Sequence, residues 1–295
     1  MMKIPRIGLV LSSGGARGAA HVGVLKALTE NGIQPDIIVG ASMGAEVGGA
    51  YAAGVEIGTL VDLWRSMNFG KVAKTLLPTL PWSGWSSGGE ILRVVRRLVG
   101  DIRIEELPLT YAAVATDLEN GVPYTIKKGE LAKAIRASVS VPGLFTPVWL
   151  DDHLLIDGGV TNPLPVDVAR DIGAEVVIAV DVLVEPAEAR LSGIPIPEYR
   201  ERILGIIKGI NSSGPSSTAL RRFYPSVFTV LFQMSTVFQQ RVSQLSLKVN
   251  SPDVLIQPDF SSGPPCYSDV KEGIEAGEEA ARRALPAITK LLGSG

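Results

Sequence analysis

The sequence contains few of the residues on which common catalytic and metal sites are built. It has one cysteine, Cys266, and two histidines, His21 and His153, in 295 residues. A single cysteine excludes an intramolecular disulfide and a zinc site with cysteine ligands, and it agrees with a reducing compartment. Two histidines leave only two candidates for the base that serine hydrolases usually employ.

Charged residues and long apolar runs are also scarce. Charged residues make up 20% of the chain and the formal net charge is −2, which gives no reason to expect a nucleic acid partner. No run of about 18 uninterrupted apolar residues occurs, so no membrane-spanning helix is expected. The apolar run at residues 7–11 is too short for a signal-peptide core. These absences predict a soluble, cytoplasmic protein.

Apolar residues and glycine are abundant. The chain is 46% hydrophobic with 32 glycines. Short apolar runs at residues 7–11 and 36–39 predict buried parallel strands, and the patterns at 18–30 and 43–53 predict a helix after each strand. Because such β-α-β units form parallel sheets with right-handed crossovers, we predict a three-layer α/β/α fold with a mainly parallel central sheet. We expect a single domain over residues 1–295.

Three glycine-rich turns, each after a predicted strand, carry the functional signal. Residues 13–18 read SGGARG, residues 40–44 read GASMG, and residues 157–159 read DGG. The second turn fits the Gly-x-Ser-x-Gly nucleophile elbow, in which a strained strand-to-helix turn exposes a serine hydroxyl. It predicts Ser42 as a nucleophile. The alternative interpretation is a serine that only caps the following helix.

The glycines of these turns have two predicted roles. Glycines beside a strained residue let neighbouring backbone pass close to it, and this support of the elbow is predicted for Gly40, Gly44, Gly158 and Gly159. Glycine-rich backbone at a helix N-terminus points N–H groups into a cleft, where they can form an oxyanion hole. The first turn is predicted to supply this hole through Gly14, Gly15, Ala16, Arg17 and Gly18. Arg17 adds a positive charge there, or it pins the loop through an ion pair.

Asp157 is a better candidate than either histidine for the base that activates Ser42. The positions of His21 and His153 give little support to the Ser…Asp…His order of α/β-hydrolases. Asp157 ends the apolar run 154–156, which places a carboxylate at the carboxyl end of a strand, where open α/β sheets bind ligands. A carboxylate with a reference pKa of about 3.9 is a weak base, although burial raises that pKa. The alternative is an aspartate that only caps its own turn.

Taken together, the three turns resemble those of the patatin-like phospholipase family, in the style of its small bacterial members. The segments IRAS at 135–138 and DGGVTNP at 157–163 are also similar, and the resemblance covers roughly residues 7–181. It implies that Ser42 is the nucleophile, that Asp157 is its dyad partner, and that the first turn is the oxyanion hole. It further implies hydrolysis of lipid or other acyl esters without a metal or cofactor. The sequence departs from the family at Ser13, where a glycine is usual.

The part of the chain after residue 181 has a different character. Its prolines, serines and glycines predict an irregular segment over residues 183–225, followed by a mainly helical part over 226–295. The last helix is predicted over 267–292 and is interrupted by Pro286. The apolar residues of this region predict core packing or a dimer surface, and the sharper hypothesis is a mobile lid that touches the inner face of a membrane.

Two other classes of function compete with an acyl hydrolase. A nucleotide-binding protein would use the first turn for phosphate, but its Gly-x-Gly-x-x-Gly pattern requires glycine at position 13. A regulatory or partner-binding protein could keep the hydrolase fold and use only its surface. The intact Ser42 and Asp157 argue against that second alternative.

Overall fold

The structure is a computed structural model that describes residues 5–66, 84–183, 227–260 and 270–293. The described strands, in chain order, are β1 Ile7–Leu11, β2 Ile37–Ala41, β3 Thr110–Asp117, β4 Val122–Ile126, β5 Val148–Leu150, β6 His153–Asp157, β7 Val176–Val180 and β8 Val254–Ile256. Within the described ranges they form one sheet in the order β5-β6-β3-β2-β1-β7-β8, with β4 paired to β3. Neighbouring strands in the part of the sheet ordered β3-β2-β1-β7-β8 are parallel. Strands β4 and β6 pair antiparallel with β3, and β5 pairs antiparallel with β6.

The described helices are α1 Ala19–Glu30, α2 Met43–Ala52, α3 Ile57–Arg65, α4 Gly89–Val99, α5 Leu131–Ser138, α6 Val166–Asp171, α7 Val227–Val249 and α8 Val270–Leu291. The sheet separates two apolar clusters, and each cluster packs helices against one face of the strands. The larger cluster includes side chains of α1, α2, α3, α5 and α8, and the smaller one includes side chains of α6. The predicted three-layer α/β/α fold with a mainly parallel sheet is therefore confirmed.

One register feature of the sheet determines where the site forms. Strand β3 pairs with β4 over Ala113–Asp117, so β2 and β6 must share its other edge. On that edge Ala41 of β2 pairs with Val114, and Asp157 of β6 pairs with the next residue, Ala115. Because β6 runs antiparallel to β3 while β2 runs parallel to it, the carboxyl ends of β2 and β6 meet there.

Several local predictions differ from the structure. The sequence reasoning assigned no element to α3 or β5, although both are present. The helix predicted to be interrupted at Pro286 instead runs through it as α8, since its neighbours on the sequence are good helix formers and its apolar face is held by the core. The lid segment lies, apart from residue 183, outside the described residues, and the single-domain assignment stays a prediction.

Helices α1 and α8 approach each other closely because glycines line their contact. A Cβ atom on Gly23 of α1 would overlap the carbonyl oxygen of Ile274, and one on Gly277 of α8 would overlap that of Ala20. Glycine at these positions lets the two backbones touch, which is otherwise prevented by side chains. The packing of α8 against α1 thus requires glycine, which has no side chain, at positions 23 and 277.

Gly23→Ala is therefore expected to lower the free energy of unfolding by about 1–3 kcal/mol, because the added methyl group must push the two helices apart. Gly58→Ala in α3 is the matched control, since a Cβ atom there meets no heavy atom within 4 Å. It should leave the free energy of unfolding unchanged or raise it by up to about 1 kcal/mol. Urea denaturation measures both, and equal stability of the two variants would contradict the close packing.

Candidate active site

Ser42 occupies the turn between β2 and α2. Its backbone has φ +52° and ψ −118°, a conformation that costs a non-glycine residue on the order of 1–3 kcal/mol. A Cβ atom on Gly40 would overlap the backbone of the first turn of α2, and one on Gly44 would overlap the carbonyl oxygen of Leu11. Glycine at both positions therefore allows the strained turn to sit against its neighbours.

Asp157 faces this turn from the end of β6. Its Oδ2 accepts a hydrogen bond of 2.6 Å from Ser42 Oγ, and its Oδ1 accepts one of 2.8 Å from the backbone N–H of Gly159. The carboxyl group is buried, and only 1% of the residue is exposed. Burial raises the pKa of Asp157 to about 6, against the opposing effect of the hydrogen bonds from Ser42 and Gly159. The carboxylate is thus fixed in orientation and more basic than an exposed aspartate.

The glycines after Asp157 bring this turn against the sheet and the first turn. A Cβ atom on Gly158 would overlap the carbonyl oxygen of Val114, and one on Gly159 would lie 2.8 Å from Ser13 Oγ. All four glycines predicted to support the elbow therefore lie at close approaches. The structure brings the second and third turns, 115 residues apart between Ser42 and Asp157, into direct contact.

The hydroxyl of Ser138, at the end of α5, holds the strained residue in place. It accepts a hydrogen bond of 2.8 Å from the backbone N–H of Ser42 and donates one of 2.6 Å to the carbonyl oxygen of Val114. Two residues later, the carbonyl oxygen of Ser140 accepts the backbone N–H of Asp157 at 3.0 Å. Sequence reasoning singled out the IRAS segment but assigned no role to Ser138. In the sequence, Ser138 is recognisable only as a serine at the end of a short predicted helix.

Arg136 ties the same segment to two loops. Its guanidinium group is buried and donates to Ser140 Oγ at 2.6 Å, and to the carbonyl oxygens of Ser87 and Thr146 at 2.7 and 3.0 Å. It lies 5.6 Å from the centre of the Phe145 ring, a distance at which a cation is attracted to an aromatic face. Burial lowers the pKa of Arg136 to about 10. These contacts keep the Ser138–Ser140 segment rigid behind the dyad.

The first glycine-rich turn lies beside the elbow. A Cβ atom on Gly18 would overlap Met43, the residue after Ser42, and Gly15 has φ +57°. Residues Gly15–Gly18 form one turn of 3-10 helix, whose first N–H groups have no partner within the helix. The backbone N–H groups of Gly15 and Ala16 therefore remain candidates for the predicted oxyanion donors.

Arg17, one of the predicted oxyanion residues, has contacts of its own in the structure. The backbone N–H of Arg17 donates to the carbonyl oxygen of Gly14 at 3.2 Å, so it is already committed within the turn. The guanidinium carbon of Arg17 lies 5.9 Å from the centre of the Phe260 ring. At this distance a cation is attracted to an aromatic face.

The residues before the turn anchor it on both sides. Ser13 Oγ donates to Gln239 Oε1 of α7 at 2.7 Å, and Ser12 Oγ accepts the backbone N–H of Val182 at 3.0 Å. His21 Nε2 lies 2.8 Å from the carbonyl oxygen of Ser12, so this nitrogen carries the proton and donates. Serine at position 13, where the family usually has glycine, thus provides a side-chain contact to α7.

Neither histidine contacts the dyad. Burial lowers the pKa of His21 to about 4, and its hydrogen bond goes to the carbonyl oxygen of Ser12, just before the first turn. His153 Nδ1 lies 2.7 Å from Asp117 Oδ2, at the far end of β6 from Asp157. Hydrogen bonds from Asn120 and then His153 lower the pKa of Asp117 to about 2. Of these three side chains, Asp157 is the one that accepts a hydrogen bond from Ser42.

Comparison with known proteins identifies the family. The family model described as Patatin-like phospholipase matches residues 9–170, more than half of the chain. The chain belongs to this family. The match spans all three glycine-rich turns, so Ser42, Asp157 and Ser138 lie within the patatin-like region.

Individual relatives are similar over about 180 residues of this chain. An uncharacterized NTE family protein of Mycobacterium tuberculosis is 42% identical over 178 residues, which are 60% of this chain and 49% of the relative. Patatin-like phospholipase domain-containing protein 6 of Mus musculus is 39% identical over 183 residues, 60% of this chain and 13% of the relative. The chain spans about half the length, or less, of these curated relatives.

Among solved structures, VipD from Legionella pneumophila is similar, with a TM-score of 0.49 and 14% identity. The similarity covers 97% of this chain and 67% of that chain. Within the residues that the structure describes, no group of three or more histidine, cysteine, aspartate or glutamate side chains could hold a metal ion. In the same residues no helix is long and apolar enough to cross a membrane.

Ser138→Ala should reduce the rate of ester hydrolysis per folded molecule by at least about tenfold. The substitution leaves the buried N–H of Ser42 without a hydrogen-bond acceptor, which costs about 1–3 kcal/mol of folding free energy. The strained turn can avoid this cost by moving, and the movement displaces Ser42 from Asp157. Ser140→Ala is the matched control, because that hydroxyl bonds only to Arg136. Rates and thermal unfolding are measured for both variants. If Ser140→Ala lowers the hydrolysis rate as much as Ser138→Ala does, at the same loss of thermal stability, the positioning role of Ser138 is wrong.

Proposed function

We propose that the protein is a serine acyl-ester hydrolase that acts on lipids through a covalent acyl intermediate on Ser42. The observation that carries the proposal is the buried hydrogen bond of 2.6 Å from Ser42 Oγ to Asp157 Oδ2 at a strained elbow. Membership of the patatin-like phospholipase family supports a lipid as the source of the ester. The regulatory alternative requires no such contact between a hydroxyl and a basic carboxylate.

In the first half of the reaction, Ser42 Oγ attacks the carbonyl carbon of the ester while its proton passes to Asp157 Oδ2. The carbonyl oxygen becomes an oxyanion, which we expect the backbone N–H groups of Gly15 and Ala16 to stabilise. The tetrahedral intermediate then collapses. Its bond to the alcohol oxygen breaks, the alcohol leaves with the proton held on Asp157, and the acyl group remains on Ser42.

In the second half, water takes the place of the alcohol. Asp157, again ionised, accepts a proton from the water as its oxygen attacks the acyl carbon. The second tetrahedral intermediate collapses, Ser42 Oγ leaves and takes back the proton, and a carboxylic acid is released. One carboxylate thus serves as base and acid in both halves, as in other double-displacement hydrolyses.

Burial is what makes a carboxylate adequate for this task. A general base works best when its pKa lies near the operating pH, and burial raises that of Asp157 to about 6. The hydrogen bond from Gly159 holds Oδ1, so Oδ2 is the oxygen presented to Ser42. The remaining acceleration is expected from the oxyanion turn, because such electrostatic stabilisation is commonly the largest single contribution.

Ser42→Ala and Asp157→Asn should each lower kcat/KM for a chromogenic ester by at least about 100-fold, because each removes an essential member of a unit. The esters are a short-chain and a long-chain one, assayed with EDTA so that metal catalysis is suppressed. Asp117→Asn is the matched control: Asp117 is also buried, but its carboxyl group bonds to Asn120 and His153 rather than to Ser42. It should retain kcat/KM within about threefold, since it leaves the unit intact.

An inactive wild-type protein, or a folded Ser42→Ala variant with an undiminished rate, would remove the hydrolase proposal. The partner-binding alternative would then take its place. If both dyad variants lose activity, the ratio of rates on the two esters reports the preferred chain length.

The pH dependence provides an independent check on Asp157. Only its ionised form can accept the proton of Ser42, so kcat/KM should be constant at high pH and fall as the pH drops through about 6. Below that value the decline should approach tenfold per pH unit, as expected for a single essential base. The profile is measured with a short soluble ester, whose own ionisation does not interfere.

Glu46 is the control for this profile, because it is the other carboxyl group close to the elbow with a raised pKa. Burial raises the pKa of Glu46, one helical turn after Ser42, to about 7. Glu46→Gln should keep the midpoint near 6. A midpoint that disappears in Glu46→Gln would assign the titration to Glu46 and contradict the role of Asp157.

A further inference from the structure

Helix α7 exposes many apolar side chains, although Leu247 packs against the smaller apolar cluster. Surface helices normally bury an apolar stripe and expose polar residues. Among the side chains described on α7, the two that are buried are polar, Gln240 and Ser243. The apolar side chains that it exposes are Val230, Leu231, Met234, Phe238, Leu245 and Val249.

The exposed apolar side chains share one face. At 100° per residue they fall within an arc of about 100°, and we call this arc the outer stripe. Gln239, Gln240 and Ser243 lie on the opposite half of the helix. Phe238, near the middle of the stripe, exposes 56% of its surface. Exposed apolar surface that is contiguous rather than scattered indicates contact with another apolar phase or partner.

The polar inner face of α7 borders the proposed catalytic site. Gln239 Oε1 accepts the hydroxyl of Ser13, and the same side chain would lie 2.8 Å from a Cβ atom on Gly159. Ser243 Oγ donates to Asp181 Oδ2 at 3.3 Å. The outer stripe is therefore separated from the oxyanion turn and from Gly159 by about one helix diameter, ~10 Å.

The charge of α7 favours an anionic surface. The sequence of the helix contains Arg241 and Lys248 and no aspartate or glutamate, whereas the whole chain has a net charge of −2. Both basic residues are exposed, and their positions fall within the arc of the outer stripe. Apolar side chains combined with basic ones on one helix face are typical of helices that lie in the interface of a membrane with anionic lipids.

A second exposed apolar residue provides a contrast. Trp149 on β5, the strand at one end of the sheet, exposes 64% of its surface. Asp151 and Asp152, two and three residues further along the chain, are both exposed. Apolar surface beside two carboxylates is repelled by an anionic bilayer, so Trp149 lacks the combination that distinguishes α7.

We propose that the outer stripe of α7 is the surface by which the protein docks on anionic phospholipid, with the helix lying in the plane of the membrane interface. The inference rests on the proposed lipid hydrolysis, because it explains how a site beside α7 is brought to a substrate that is confined to a bilayer. It adds to that function the membrane surface used and the charge of the lipid recognised.

The test uses the full chain with Ser42→Ala, so that lipid is bound without being consumed. Co-sedimentation is measured with vesicles of phosphatidylglycerol and phosphatidylcholine in equal amounts, and with vesicles of phosphatidylcholine alone. The protein should partition onto the anionic vesicles, and raising the salt to about 1 M should weaken this binding by screening. Adding Phe238→Asp should lower the partition coefficient at least about tenfold. Trp149→Asp, which introduces the same charge, should leave it unchanged within about twofold.

Thermal unfolding and molecular mass in solution are measured on the same proteins. Phe238→Asp should retain the unfolding temperature, since the side chain it replaces is exposed. A large fall in that temperature would mean that other residues of this chain cover the stripe. A dimer that Phe238→Asp dissociates would assign the stripe to a second copy. Either result overturns the proposal, as does absence of vesicle binding or an equal loss in Trp149→Asp.

The two proposals can fail separately. Ester hydrolysis that depends on Ser42, without vesicle binding, would leave the hydrolase in place and remove the docking surface. Vesicle binding that depends on Phe238, in a protein whose wild-type form hydrolyses no ester, would leave the docking surface and remove the hydrolase.

Discussion

The site depends on one edge of β3. Along that edge β2 ends beside Val114 and β6 ends beside Ala115, and the two strands approach from opposite directions. Ser42, the residue after β2, is therefore brought to Asp157, the last residue of β6, by the pairing of the two strands with β3. The 2.6 Å hydrogen bond between Ser42 and Asp157 follows from this register. A shift of one residue in β6 would turn the carboxyl group to the other face of the sheet.

The same arrangement carries costs that the surrounding residues offset. The conformation of Ser42 is unfavourable by itself, and Asp157 is a buried acid whose raised pKa reflects the loss of water. Hydrogen bonds from Gly159 to the carboxylate, and from Ser42 to the hydroxyl of Ser138, replace the lost solvent. A strained residue and a buried acid persist only where several contacts from neighbouring residues hold them in place. This explains why Arg136, although it contacts neither member of the dyad, is bonded to three different segments behind it.

Local patterns predicted those parts of the molecule that are determined locally. The strands before the glycine-rich turns, and Ser42 as the elbow residue, follow from short-range periodicity and glycine spacing. The proximity of Asp157 was predicted from its position at a strand end, but its antiparallel approach along β3 was not, because pairing direction depends on distant segments. The contacts of Ser138 and Arg136 were missed for the same reason. Pro286 was read as an interruption, although its helix continues through it because packing outweighs a single unfavourable residue.

The orientation of helix α7 is set by a contact at the site, and this orientation determines which of its side chains are exposed. The first turn begins with Ser13, whose hydroxyl requires an acceptor, and Gln239 provides it from α7. Because Gln239 must face the sheet, Phe238 and the other residues of the outer stripe are directed outward. Exposed apolar residues at these positions lower the solubility of a protein in water, and polar residues there would avoid that effect. The orientation that brings Gln239 to the first turn is therefore the one that presents an apolar, basic surface, and the proposed docking on a bilayer would use that surface.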